Sequence, residues 1–217
     1  IATGQQIISF AFTEAEHAWG PSAIHLPASL RNGNYVLNGT KLFIPWAHVA
    51  DQILVVARTS EGSSPERGIS LFLVDKNARG ISTSLQSGQN GDKVCEVKFD
   101  GVEVPPSGVL GPIGEAWPAI ERAMDRATGV LCAYMAGGAL KVHQIAQEYS
   151  QTRVASDVPT GTPQRVQTGV IDALTEAHSG CWTTYEALWR LDNGDPGAQS
   201  AISMANATAW PICTQKL

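Results

Sequence analysis

Apolar residues in the first half of the chain fall into short runs of strand character, at residues 35–37, 41–44, 53–57, 69–74, 81–85 and 95–99, separated by Gly, Pro and Asn. Asn32-Gly33 and Asn38-Gly39 supply the positive φ angles that two-residue hairpin turns require, so each predicts a turn between strands. No helical periodicity intervenes, which predicts an antiparallel barrel or sandwich over residues 1–113. The pattern changes after Val104-Pro105-Pro106 and the glycines at 108, 111 and 114. From Trp117 onward, Ile120, Met124, Ala127, Leu131, Tyr134, Gly138, Val142, Ile145 and Tyr149 recur three or four residues apart, predicting one long amphipathic helix that ends near Arg153. Val166, Val170, Leu174, Ala177, Cys181, Tyr185, Leu188 and Leu191 repeat the pattern until Asn193-Gly194-Asp195-Pro196 stops it. A third helical segment begins near Gly197 and is expected to break at Pro211. The fold class expected is α+β: a β-barrel or sandwich followed, over residues 114–217, by part of an antiparallel four-helix bundle. Its apolar stripes need a partner to cover them.

Composition narrows what such a chain does. Of 217 residues, 43% are hydrophobic and 16% charged, too apolar for a disordered chain. Fifteen Lys and Arg stand against 20 Asp and Glu, with no basic run to follow a phosphate backbone, so nucleic acid is not an expected partner. No stretch reaches the roughly 20 apolar residues that span a bilayer, and the start lacks a signal-peptide pattern; no membrane association and a cytoplasmic address are expected. Chain ends inside strand-like and helix-like patterns predict a piece of a longer protein.

Elementary motifs yield little chemistry. Cys95, Cys132, Cys181 and Cys213 are too far apart for a zinc or redox motif and read as reduced, mostly buried thiols. The histidines lack metal-ligand spacing, so no metal is expected. Gly137-Gly138 lies within a helix and is no dinucleotide fingerprint. Glu14 and Glu16, two residues apart in a loop, read as solvated charges.

The order of particular segments is more specific. Phe12-Thr13-Glu14-Ala15, then Tyr35 through Gly39-Thr40-Lys41-Leu42-Phe43-Ile44-Pro45, Ala50-Asp51, Gly68 through Val74, Val97-Lys98-Phe99-Asp100-Gly101-Val102-Glu103-Val104-Pro105 and Val109-Leu110-Gly111 resemble the central β-domain of the acyl-CoA dehydrogenases. Gly114-Glu115-Ala116-Trp117, Tyr149-Ser150-Gln151-Thr152-Arg153 and Gln164 to Gln167 continue the likeness into that family's C-terminal helical domain. The resemblance implies a flavoprotein that oxidises an acyl-CoA thioester across its α and β carbons, with FAD as cofactor. It implies a homo- or hetero-oligomer, dimer or tetramer, and an electron-transfer flavoprotein as a further partner. The catalytic base is expected beyond Leu217.

Carried onto this chain, the resemblance places Thr13 where the family bonds the flavin ring, with Phe12 adjacent. Phe43, Ile44 and Pro45 stand where many members read Trp-Ile-Thr; Phe43 keeps an aromatic face, whereas Pro45 offers neither hydroxyl nor N–H. Arg153 matches an Arg that reaches the FAD pyrophosphate and Gln164 a Gln near the same dinucleotide. On the substrate side the positions are Trp19, Asp125 and Thr128. The departures are a missing aromatic in residues 155–160, Asp157 beside a diphosphate, Ala127 where some members keep a Glu base, Thr128 in place of an Arg, and Trp19 in place of a small residue. They leave two alternatives beside a catalytic dehydrogenase: a non-catalytic, interface-forming subunit, and a related flavin oxidase or monooxygenase.

Overall fold

The computed structural model describes residues 1–16, 20–88, 91–155 and 157–215, and they form two units, residues 1–120 and 121–217. In the first, the apolar runs become strands β1 (Ile8–Ala11), β2 (Ala28–Arg31), β3 (Asn34–Pro45), β4 (Gln52–Arg58), β5 (Ile69–Asp75), β6 (Ile81–Ser87), β7 (Lys93–Val104) and β8 (Val109–Leu110). They make two four-stranded sheets, ordered β1-β4-β5-β8 and β2-β3-β7-β6. The arrangement is a sandwich and not a closed barrel, and it is not wholly antiparallel, because β1 runs parallel to β4. Residues from both sheets, among them Leu37, Ile44, Val55, Phe72, Val97 and Val102, fill one core.

Asn32 (φ 50) and Gly33 (φ 85) make the β2–β3 hairpin turn expected of them. Asn38-Gly39 does not turn. β3 runs straight through it as one 12-residue strand, with a register shift against β7 between Leu37 and Gly39. The Asn38 carboxamide oxygen accepts from the Gly101 N–H at 2.8 Å, and Gly39, at φ +140, lies where a Cβ would come within 3.2 Å of Leu26 Cγ. The dipeptide thus serves an irregularity and a close side-chain approach, a use of Asn-Gly that spacing cannot distinguish from a hairpin.

The second unit is helical. α1 (Trp117–Thr152) begins in the first unit and contributes residues 121–152 here; α2 (Gln164–Asp192) and α3 (Ala198–Gln215) follow. A two-residue hairpin of β9 (Val154–Ala155) and β10 (Val158–Pro159) links α1 to α2. α3 passes through Pro211 without breaking, so the expected stop does not occur. The face of α1 that is buried differs from the large apolar stripe. Cys132, Met135, Ala136, Ala139 and His143 point inward, whereas Leu131, Tyr134, Val142, Ile145 and Tyr149 are exposed. Small residues win the inside because helices approach closely across them: a Cβ on Gly129 would sit 2.9 Å from a Leu188 methyl. Cys95, Cys132 and Cys181 are buried free thiols, while the side chain of Cys213 lies outside those described. Burial pushes the Cys132 and Cys181 thiols upward, away from thiolate reactivity.

Candidate functional site

Beyond Ala11, β1 leaves its sheet, and the next three residues find their partners on β3. The Thr13 carbonyl accepts from the Leu42 N–H at 2.9 Å. Beneath it, the Lys41 ammonium has no solvent exposure and donates to the Phe12 carbonyl at 2.8 Å and to Glu14 Oε1 at 2.7 Å. Glu14 in turn accepts from the His25 and Leu26 amides at 3.1 Å. A charge can persist in such a place only when paired and hydrogen-bonded. Burial still pulls the Lys41 pKa below its ordinary 10.5, with Glu14 opposing. Glu14 is therefore not the solvated charge expected of it, whereas Glu16, 3.5 Å from His25, is exposed.

Next to the clamped segment, β3 takes one extra residue against β7 between Lys41 and Ile44. That bulge puts Phe43 at φ 53, and Trp46 follows at φ 58. Positive φ is costly for bulky residues, and such backbone concentrates at functional sites. Both rings face outward, Phe43 at 50% and Trp46 at 52% exposure. Trp46 stacks on His48 with centroids 6.0 Å apart, and Phe10, also partly exposed, stacks on Phe12 at 5.8 Å. The result is a strand end bearing outward aromatic rings beside the half-buried Thr13.

Among the residues proposed from sequence, Phe43 and Pro45 are exposed at the end of β3 and Thr13 is half-buried against Leu42, while Phe12 and Ile44 are buried. Phe12 packs on Trp117 at 6.5 Å. Pro45 uses its carbonyl to accept from the Ser9 hydroxyl at 2.9 Å. Trp19 lies outside the described residues. Sequence reasoning missed Phe10, Trp46 and the Lys41–Glu14 pair. A cation within an otherwise apolar strand run was the available signal for Lys41.

In the helical unit, Arg153 and Gln164 are both exposed at the α1–α2 turn, where the Thr160 N–H donates to the Arg153 carbonyl at 2.7 Å. Asp157 holds φ 65 in the same hairpin. A cavity of about 570 Å³ opens between the two helices there, lined by Gln147, Ser150, Gln151, Gly161, Val166 and Val170 among others. Asp125 is half-buried in a separate cavity of about 330 Å³ with Glu121, Arg122, Arg126, Gly194 and Gln199. Thr128 is half-buried one turn along, and Ala127 exposed. Arg190 bonds Glu186 at 2.7 Å, which raises its pKa. Among the described residues no three His, Cys, Asp or Glu side chains gather to hold a metal, and no helix is long and apolar enough to cross a membrane.

The acyl-CoA dehydrogenase middle domain matches residues 9–102, and the acyl-CoA dehydrogenase C-terminal domain residues 114–215. An acyl-CoA dehydrogenase of Bacillus subtilis (strain 168) is 28% identical over 212 residues, covering 96% of this chain and 55% of its own length. Among solved structures, the FAD complex of PigA superposes with a TM-score of 0.91 at 26% identity, over 99% of this chain and 56% of that one. Butyryl-CoA dehydrogenase from Megasphaera elsdenii gives 0.87 at 24% identity, over 96% and 55%, a likeness of fold. The electron transferring flavoprotein structure from Acidaminococcus fermentans gives 0.89 at 27%, over 98% and 56%. The chain spans about half the length of the relatives it matches.

Proposed function

The chain belongs to the acyl-CoA dehydrogenase family, and on that premise we propose that residues 1–113 are its middle β-domain, that residues 114–217 are part of its C-terminal helical domain, and that it serves FAD-dependent α,β-oxidation of an acyl-CoA thioester. The observation that carries this reading is the outward aromatic pair Phe43 and Trp46, held on left-handed backbone at and after a β-bulge in the strand whose Leu42 amide bonds half-buried Thr13. Its residues suit a flavin: flat rings to lie against a planar heterocycle, and a hydroxyl beside them to hydrogen-bond its polar edge. When bound, FAD supplies a two-electron acceptor for the hydride leaving the substrate β-carbon.

The chain's own groups bind, orient and exclude water. Thr13 offers its hydroxyl from a backbone whose carbonyl is tied to Leu42. The outward Phe43 ring would shield a bound flavin from water. Pro45 has no N–H to give, and its carbonyl is already engaged by Ser9, so this edge of the site offers one hydrogen bond fewer than a Thr would. Arg153 and Gln164, exposed together at one end of the helical unit, suit a pyrophosphate by charge and by amide donation. Asp157 in the adjoining turn opposes an anion. These opposing terms make FAD binding weak. Asp125 and the cavity beside it suit a polar portion of the acyl-CoA.

No carboxylate stands at Ala127 to remove the substrate α-proton, and no Arg at Thr128 to bind substrate. That favours a second reading, a non-catalytic subunit that assembles through the exposed stripe of Tyr134, Ile145 and Tyr149. Both readings take a homo- or hetero-oligomer; an electron-transfer flavoprotein as electron acceptor belongs to the first. Anaerobic mixing of the FAD-loaded protein with a series of acyl-CoA esters separates the two: bleaching of the flavin visible band supports oxidation, and unchanged spectra with every ester favour the non-catalytic subunit.

A further inference from the structure

Three consecutive residues, Phe12 to Glu14, have left the β1–β4 ladder, yet their backbone is more tightly fastened than a loop requires. The Lys41 ammonium reaches Phe12 O and Glu14 Oε1, the Leu42 amide reaches Thr13 O, and the Glu14 carboxylate closes on the amides of His25 and Leu26. Lys41 and Leu42 immediately precede the bulged Phe43. The fully buried ammonium thus lies at the junction of the two segments that present Thr13 and Phe43.

We propose that Lys41 and Glu14 are positioning residues: their buried pair clamps residues 12–14 onto β3, so that the Thr13 hydroxyl and the Phe43 ring are held together in the arrangement that accepts the flavin. The proposal rests on the flavin reading above. Neither side chain touches the cofactor; each acts through the backbone that bears Thr13. A buried pair must satisfy its remaining hydrogen-bonding capacity as well as its charge, and where those bonds fall decides what it holds in place. This one places the ammonium's other hydrogen bond on the carbonyl just before Thr13, and fastens the side chain of the residue just after it to the His25 and Leu26 amides; such pre-organisation of a binding group is where affinity is gained.

Binding of FAD alone to the unaltered protein and its variants, read by quenching of flavin fluorescence and by the shape of the bound flavin's visible band, tests the clamp. Amide hydrogen exchange at Leu42 and thermal unfolding are followed in parallel. Lys41→Met is expected to raise the FAD dissociation constant at least tenfold and to speed exchange at the Leu42 amide. The double variant Glu14→Gln with Lys41→Met leaves no buried charge unpaired and is expected to recover the melting temperature without recovering the affinity. Recovery of both, or unchanged affinity in Lys41→Met, overturns the proposal. If Lys41→Met alone does not fold, the double variant decides in the same terms. Failure of the unaltered protein to bind FAD overturns the flavin reading first, and the two failures are told apart by which sample shows them.

Discussion

An ammonium with no solvent contact, bonded to one carboxylate and one carbonyl, makes Lys41 the residue where single-atom changes are felt most. Removing one partner of a buried pair strands the other, so Lys41→Met should cost about 3 kcal/mol in chemical denaturation. The pH dependence follows from the direction of its pKa. Folding pulls the value below 10.5 because desolvation outweighs the attraction of Glu14. The unfolded chain then holds the proton more tightly, and stability rises as pH climbs from the lowered value toward 10.5. Urea unfolding across alkaline pH should show this rise in the unaltered protein and its loss in Lys41→Met. Sequence reading named Thr13 and Phe43 as candidates but treated Glu14 as solvated, since a loop carboxylate reveals nothing of a partner 27 residues away. Trp46 was missed for a similar reason: its exposure follows from left-handed backbone after a bulge, and no local propensity predicts a Trp there.

At the level of elements, period alone found the helices but not which face each buries. The large apolar residues of α1 were legible as a stripe, yet the inward face is the small one, because Gly129 and Ala139 let α1 approach α2. Gly129→Val should therefore lower the melting temperature by several degrees, corresponding to about 1–3 kcal/mol of overpacking against Leu188. The outer stripe carries a different expectation. Tyr134, exposed at 79%, and Ile145 sit where a partner surface would cover them. Replacing both with Glu should leave far-ultraviolet circular dichroism unchanged while shifting sedimentation toward the smaller species. Unshifted sedimentation would place any assembly on another face. Strand pairing shows the same limit: Asn32-Gly33 turned as read, while Asn38-Gly39 was drawn into β3 by the register with β7, a tertiary influence beyond the reach of a dipeptide.

On the scale of the whole molecule, the change from strand to helix near residue 113 was visible in periodicity, as was the family from the order of its segments. What periodicity could not supply was the parallel pairing of β1 with β4, since pairing direction depends on where chain segments meet and not on their own pattern. The central claim is that the surface around Thr13 and Phe43 accepts FAD. It is tested most directly by titrating the protein with FAD and following flavin fluorescence, alongside Thr13→Val. Saturable quenching, weakened about tenfold by the variant through loss of one hydrogen bond to the ring, is the predicted result; flavin fluorescence that stays unquenched across the titration, or binding indifferent to Thr13, would contradict it.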